Sequence, residues 1–238
     1  MLGLGNNLTS ASYVGGFSQK YSLDFDGTDG YVAISDDNSL DLTDDMTLSA
    51  WIKYDTISAG QEGIFTKTDG DGNGYGLSIK SDGKVRFFSL HWNTSVAISG
   101  SALSSGTWYH VVGVHDNSAN TSKIYVDGSL SDTQTSASPH SANTDPLEIG
   151  RIFLADGNVF DGHIDEVSIF NAVVDVSTLR DGSKPADLTG MSNLQGWWRM
   201  GDGTEGASGT NIYDMSDNSN NGTMTNMDAS TDYTADVP

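Results

Sequence analysis

Alternation of apolar and polar residues is the feature that most limits what this chain can fold into. From Tyr21 onward, apolar residues fall at every second position over short stretches, beginning with Tyr21, Leu23 and Phe25. A period of two places such residues on one face of a β-strand. Turn-forming pairs such as Asp82-Gly83 and Asp127-Gly128 separate the stretches, and they suit tight hairpins. The pattern predicts an all-β chain folded as a two-sheet antiparallel sandwich.

The kind of acidic residue supports this prediction. Of the 32 acidic residues only four are Glu, at positions 62, 148, 166 and 205, which leaves 28 Asp. Asp bonds to nearby backbone amides and favours turns, whereas Glu favours helices. Helical spacing occurs only over Val173 to Arg180, so the sequence predicts one short helix at most.

Charge and cysteine content exclude several classes of function. The formal net charge of −21 repels nucleic-acid phosphates and anionic lipids, so neither nucleic-acid binding nor membrane insertion is expected. The chain has no cysteine, which excludes disulfides, thiolate metal sites and a cysteine nucleophile. A metal would therefore need oxygen or imidazole ligands.

Composition divides the chain into three segments. Residues 1–20 are rich in Gly, Ser and Asn and predict a flexible N-terminal arm that contacts a partner in an assembly. Residues 21–185 carry the strand pattern of the sandwich, and residues 186–238 are expected to add strands to the same sandwich or to a neighbouring one. Neither a signal peptide nor a membrane-spanning apolar stretch is recognised.

Several sequence blocks together resemble a known family. They are LDFDGTDGYVAI (23–34), TLSAWIKY (47–54), GIFTK (63–67), YGLSI (75–79), GTWYHVVGVHD (106–116), KIYVDGSL (123–130), LEIG (147–150) and FDGHIDEVSIFNAVV (160–174). In this order they resemble the blocks of laminin-G-like domains of the concanavalin A-like lectin/glucanase superfamily. The resemblance implies a jelly roll that serves adhesion or carbohydrate binding, often with a calcium ion.

The C-terminal segment extends the resemblance. GWWRMGDG and NIYDMSDNSNNGTM are similar to a segment that in many members precedes the FDG strand, whereas here it follows the domain. This order implies a permuted edge strand, with the two chain ends adjacent, or the remnant of a tandem repeat. Such domains with Gly-rich leaders look like those of tailed-phage virions. The resemblance therefore implies a capsid-decoration or tail/fibre protein, on a virion surface or extracellular, whose residues 1–20 contact other virion subunits or further copies of the chain.

The glucanase branch of this superfamily requires a test for catalysis. Retaining members use Glu-x-Asp-x-Glu on one strand, because a period of two brings all three carboxylates to one face. The chain lacks this triplet, and strict alternation over His163 to Val167 would put Asp165 and Glu166 on opposite faces. The sequence predicts no enzyme. A free carbohydrate-binding lectin and a divergent glycoside hydrolase remain the alternatives.

Two places are candidates for a structural calcium ion. Calcium takes six to eight oxygen ligands, which Asp-rich turns supply. The first candidate joins Asp26 and Asp29 to Asp165, which the resemblance brings near them. The second is Asp69, Asp71 and Asn73, the first half of a calcium-loop pattern whose second half is missing.

Glycan recognition is predicted at one loop. Surface glycans are bound by exposed aromatic rings flanked by Asp and Asn, and Trp92 followed by Asn93 lies beyond a predicted strand end. His91 precedes them, and Tyr75 and Asn73 are expected to face them. The other four tryptophans, at 51, 108, 197 and 198, are predicted to lie in the core or on sheet faces.

Overall fold

The computed structural model describes residues 17–57, 60–69, 71–91, 94–135, 141–152, 158–202 and 208–238. The described residues form β-strands and two short 3₁₀ helices, Asn38–Leu40 and Val176–Leu179. The strands in chain order are β1 (Ser22–Asp26), β2 (Tyr31–Ile34), β3 (Met46–Tyr54), β4 (Gln61–Thr68), β5 (Gly74–Lys80), β6 (Val85–His91), β7 (Thr94–Ile98), β8 (Tyr109–Asp116), β9 (Thr121–Val126), β10 (Ser129–Thr135), β11 (Leu147–Ile149), β12 (Asp161–Phe170), β13 (Arg180–Asp181), β14 (Lys184–Pro185), β15 (Leu194–Trp198), β16 (Asn211–Ile212), β17 (Gly222–Thr225) and β18 (Tyr233–Thr234).

Two antiparallel sheets form a sandwich, which confirms the predicted fold class. Sheet A has the order β10-β9-β8-β3-β12-β1-β18, and β15 also pairs with β12. Sheet B has the order β16-β17-β2-β11-β4-β5-β6-β7, and β13 pairs with β14 outside both sheets. The turn between β9 and β10 has Asp127 at φ 51° and Gly128 at φ 76°, as a tight hairpin with two left-handed residues requires.

The main core lies between the two sheets. Side chains such as Phe25, Phe65, Phe87 and Ile164 are fully buried there, and burial of apolar area is the main stabilising term of such a fold. Close packing leaves no room for a side chain at Gly113, where a Cβ would lie 2.2 Å from the Phe87 ring. The Phe87 ring of β6 therefore packs directly against the backbone of β8.

A second apolar cluster covers part of the outer face of sheet A. The chain turns back over this face after β12, and the 3₁₀ helix Val176–Leu179 falls within the predicted helical stretch. The residues that form the cluster are Val112, Val114, Phe170, Val176, Leu179, Leu188 and Trp197. Sheet A is thus covered on both faces over this region, and no described member of this cluster lies on a strand of sheet B.

Residues 186–238 supply strands to both main sheets. β15 continues along the edge of β12 where β1 stops, β17 pairs with β2, and β18 pairs with β1 through Ser22 and Thr234. The first and last described strands are therefore neighbours. Across the described part of the chain, no helix has the length and apolar character that a membrane span needs.

The end of the predicted arm packs on the chain's own body. The Phe17 ring stacks on Trp197 with centroids 6.2 Å apart, and Arg199 donates to the carbonyl oxygen of Ser18 at 2.8 Å. The Lys20 amide donates to Asp202 at 2.6 Å. The prediction of a flexible arm over residues 1–20 is thus corrected for 17–20, because Trp197, Arg199 and Asp202 of the same chain hold them. Residues 1–16 lie outside the described part.

Candidate functional site

The second calcium candidate and the start of the predicted glycan loop meet at one corner of sheet B. The turn from Asp69 to Asn73 links β4 to β5, and His91 ends β6. Asn73 and His91 form an isolated antiparallel bridge, and the His91 Nε2 atom lies 3.1 Å from the Asp71 carbonyl oxygen. We call Asp69, Asp71, Asn73 and His91 the His91 corner. Trp92 and Asn93, which follow His91 in sequence, lie outside the described residues.

The Asp69 carboxylate shapes this corner. It accepts the backbone N–H groups of Asp71 at 3.0 Å and Asn73 at 2.8 Å, and the Asn73 side-chain amide as well. Burial alone would raise the pKa of Asp69, but these hydrogen bonds outweigh it and lower the pKa below its usual value. The Asp69 carboxylate is thus hydrogen-bonded within its own turn. Asp71 is exposed and Asn73 is half-buried.

Tyr75 does not belong to this corner, and its prediction as a glycan-binding residue is wrong. Its side chain is fully buried, and its hydroxyl donates to the Leu40 carbonyl oxygen at 2.8 Å. Burial raises the pKa of Tyr75 well above its usual value, and the nearby Asp41 and Asp36 charges add to this effect. Alternation along β5 shows which residues share a face with Tyr75 but not whether that face points to solvent or to the core. Here it points to the core.

The first predicted calcium site is not assembled. Asp26 pairs with Asp161 across β1 and β12, and Leu23 pairs with Ile164, so Asp165 lies past the other end of the ladder. Four strand positions separate the two levels, about 13 Å at the usual rise. Asp26 and Asp29 are exposed while Asp165 is fully buried, so the three carboxylates cannot share one ion.

Calcium itself stays a prediction. Among the described residues no three His, Asp or Glu side chains are grouped to hold a metal ion. The second candidate set, Asp69, Asp71 and Asn73, is indeed brought together by its turn. Its best-placed carboxylate is occupied by the amides of that turn, so further ligands would have to complete any site there.

A bulge in β12 overturns the predicted arrangement of Asp165 and Glu166. The pairing with β3 shifts between Asp165 and Ser168, and Glu166 has a left-handed φ of 48°. Asp165 accepts the backbone N–H of Glu166 at 2.7 Å, and Glu166 bonds to Trp197 on the outer face of sheet A. Burial raises the pKa of Asp165, and the nearby Glu166 charge adds to this effect. The expectation of opposite faces is therefore wrong.

The Glu166 carboxylate is enclosed by partners. It accepts the Trp197 Nε1 hydrogen at 2.5 Å, the Arg199 Nε hydrogen at 2.9 Å and a hydrogen bond from Gln19. Burial raises the pKa of Glu166, against the lowering effect of Arg199 and these hydrogen bonds. A glycosidic bond cannot reach either carboxylate, since Asp165 is 0% exposed and Glu166 is 4% exposed.

The other glutamates in the described part of the chain do not form a catalytic pair with Glu166. Glu148 lies on sheet B and is bound by Arg151 through two hydrogen bonds of 2.6 and 2.8 Å. Glu62 lies on β4, also in sheet B, and Glu205 lies outside the described residues. The described carboxylates therefore do not reproduce the glucanase triplet.

A second polar surface lies on the outer face of sheet A. The half-buried Trp108 donates its Nε1 hydrogen to Asp236 at 2.8 Å, and Lys53 also donates to Asp236. The His163 ring lies 6.1 Å from the Trp108 ring, and the Lys53 Nζ atom lies 5.9 Å from it. We call Lys53, Trp108, His163 and Asp236 the Trp108 patch. Sequence reasoning missed it because Asp236 returns to this face from the far end of the chain.

Comparisons with known proteins agree with this architecture. A laminin-G family model of the concanavalin A-like lectin/glucanases superfamily matches residues 26–179. Comparison with curated protein sequences finds no match. At 20% identity and a TM-score of 0.70, the chain is similar over 88% of its length to a solved protein from Bacteroides ovatus assigned to carbohydrate binding, of which it spans 59%.

Two further solved structures share the fold. One is the CBM40 domain of the Ruminococcus gnavus IT-sialidase, at 16% identity and a TM-score of 0.52, covering 67% of this chain and 95% of that domain. The other is a heptameric SAP-like pentraxin from Limulus polyphemus, at 17% identity and a TM-score of 0.54, covering 73% of this chain and 84% of that one. At these identities the likeness concerns the fold.

Proposed function

The chain belongs to the laminin-G group of the concanavalin A-like lectin/glucanases superfamily, and on this premise we propose that it is a carbohydrate-recognition domain without catalytic activity. One observation carries the proposal: the His91 corner joins an Asp/Asn turn to the end of β6. An exposed carboxylate, an amide and an imidazole there can bond sugar hydroxyls. We propose that Trp92 and Asn93 complete the site, with the Trp92 ring stacking on the sugar.

Electrostatics select the class of glycan. The R. gnavus CBM40 domain has been solved with α2,3-sialyllactose, an acidic sugar. Here the corner carries two aspartates, and the whole chain has a net charge of −21, which disfavours a carboxylate ligand. We therefore propose a neutral oligosaccharide rather than a sialylated one.

Replacing Trp92 with Ala is expected to weaken binding of a neutral oligosaccharide by roughly tenfold or more, because the stacking surface is lost. A glycan array would identify the ligand, and isothermal titration calorimetry would measure the loss. Trp108→Ala is the matched control: this tryptophan belongs to the Trp108 patch on the outer face of sheet A, away from the His91 corner, so the affinity should not change.

Three outcomes would contradict the proposal. Absence of any glycan ligand would remove the function, and loss of binding in Trp108→Ala but not in Trp92→Ala would move the site to the Trp108 patch. Release of sugar from the ligand, abolished by substituting one carboxylate, would support the glycoside hydrolase instead.

We also propose that the domain is displayed on a larger assembly such as a virus particle. The support is the composition of the leader, together with the anchoring of Phe17 on Trp197, which fixes where the leader joins the body. Light scattering should show more copies per particle for the full chain than for a chain starting at Phe17. Both should bind glycan equally. If both chains were monomers, a free lectin would be favoured.

A further inference from the structure

Lys67 is the one cationic side chain of β4, and its ammonium group is enclosed by oxygen atoms. Its side chain is 0% exposed. The Nζ atom lies 2.7 Å from Asp36 Oδ1, 2.8 Å from the Asp145 carbonyl oxygen, and 2.9 and 3.0 Å from the carbonyl and side-chain oxygens of Asn143. Asp41 Oδ1 lies at 3.4 Å.

This oxygen shell exceeds what an ammonium group can use. An ammonium has three N–H donors, whereas five oxygens face it. Asp41 Oδ1 is buried and makes no hydrogen bond within the described residues, so only the lysine charge compensates it. Two carboxylates and three neutral oxygens around one small cation form the donor set that calcium prefers.

The shell also joins separate parts of the fold. Asp36 and Asp41 flank the 3₁₀ helix that follows β2, and Asn143 and Asp145 lie just before β11. Lys67 pairs with Leu147 of β11 across the sheet. A cation at this point holds both loops against β4, which is the task of a structural metal ion.

We propose that these oxygens of Asp36, Asp41, Asn143 and Asp145 form a cation site that the chain fills with its own Lys67 ammonium, and that removing the ammonium opens the site to Ca²⁺. Lysine balances one of the two aspartate charges, whereas Ca²⁺ would balance both. Water would supply the ligands still needed for a six- to eight-coordinate ion. The proposal does not depend on glycan binding.

The test compares two substitutions of Lys67. Lys67→Ala removes the ammonium and leaves space, whereas Lys67→Met removes it and fills the space with an apolar chain. Both should lower the melting temperature by at least about 5 °C, since the carboxylates lose their counter-charge. Millimolar Ca²⁺ should restore most of this loss in Lys67→Ala in a saturable way, and Mg²⁺ should restore less because it demands a smaller octahedral shell.

Lys67→Met and the wild-type chain are the controls. Calcium should raise their melting temperatures less than that of Lys67→Ala. An equal response in all three, or unchanged melting temperatures in both variants, would overturn the proposal. If Lys67→Ala does not fold without metal, it is refolded with Ca²⁺ or with chelator. Folding only with Ca²⁺ supports the site, and failure in both conditions overturns it.

Discussion

Replacing Arg199 with Met is expected to lower the free energy of unfolding by about 3–5 kcal/mol, the usual cost of leaving a buried charge without its partner. The side chains of Arg199 and Glu166 are 10% and 3% exposed, and Arg199 Nε donates to Glu166 Oε1 at 2.9 Å. Arg199 also donates to the Ser18 carbonyl oxygen and lies 4.3 Å from the centre of the Phe17 ring. Urea denaturation followed by tryptophan fluorescence would measure the loss.

Two control variants separate the buried charge from other effects. Glu166→Gln combined with Arg199→Met removes both charges and should recover much of the loss, because no charge is left unpaired. Lys80→Met removes an exposed pair with Asp82, whose side chains are 34% and 49% exposed, and should cost no more than about 1 kcal/mol. A loss of that small size in Arg199→Met would contradict the buried pair.

The stability loss of Arg199→Met is expected to depend on pH. Burial raises the pKa of Glu166 in the folded chain, and Arg199 opposes that rise, so the pKa should rise further in Arg199→Met. A carboxyl with a raised folded-state pKa binds its proton more tightly when folded, and its ionisation destabilises the fold as pH increases. The deficit of Arg199→Met relative to the wild type should therefore shrink as the pH falls below neutral.

The sequence pattern predicts the strands and turns of this fold because each of them is determined by neighbouring residues. The block TLSAWIKY (47–54) falls within one strand, β3, which runs Met46–Tyr54. The turn at Asp127-Gly128 was predicted from two residues that tolerate left-handed backbone, and both adopt it. Each of these features depends on a few consecutive residues, so no distant contact was needed to find it.

The charged sites could not be predicted in this way because they depend on distant or irregular contacts. The bulge at Glu166 breaks the alternation on which its face was assigned, and it lies where β1 gives way to β15 along β12. Lys67 ends the block GIFTK (63–67), and its ammonium is held by residues 26 to 78 positions away. Alternation defines two faces of a strand but does not say what covers them.

The same long-range dependence makes the C-terminal segment essential. The family match ends at residue 179, but Trp198, Met200, Ile212 and Met224 lie in the main core with 0–5% exposure. Burying four side chains of this size contributes about 6–12 kcal/mol, which is comparable to the whole stability of a typical domain. A chain ending at Pro185 is therefore expected to lose cooperative folding.

Thermal unfolding followed by near-ultraviolet circular dichroism would compare residues 1–185 with the full chain. The shortened chain should show no cooperative transition, because β12 and β2 would lose their partners β15 and β17. Supplying residues 186–238 as a separate peptide should restore a transition, since those strands bind through the ladders and core contacts seen here. If residues 1–185 melted cooperatively near the temperature of the full chain, the core between the sheets would have to close without Trp198, and the assignment of this segment to the core would be wrong.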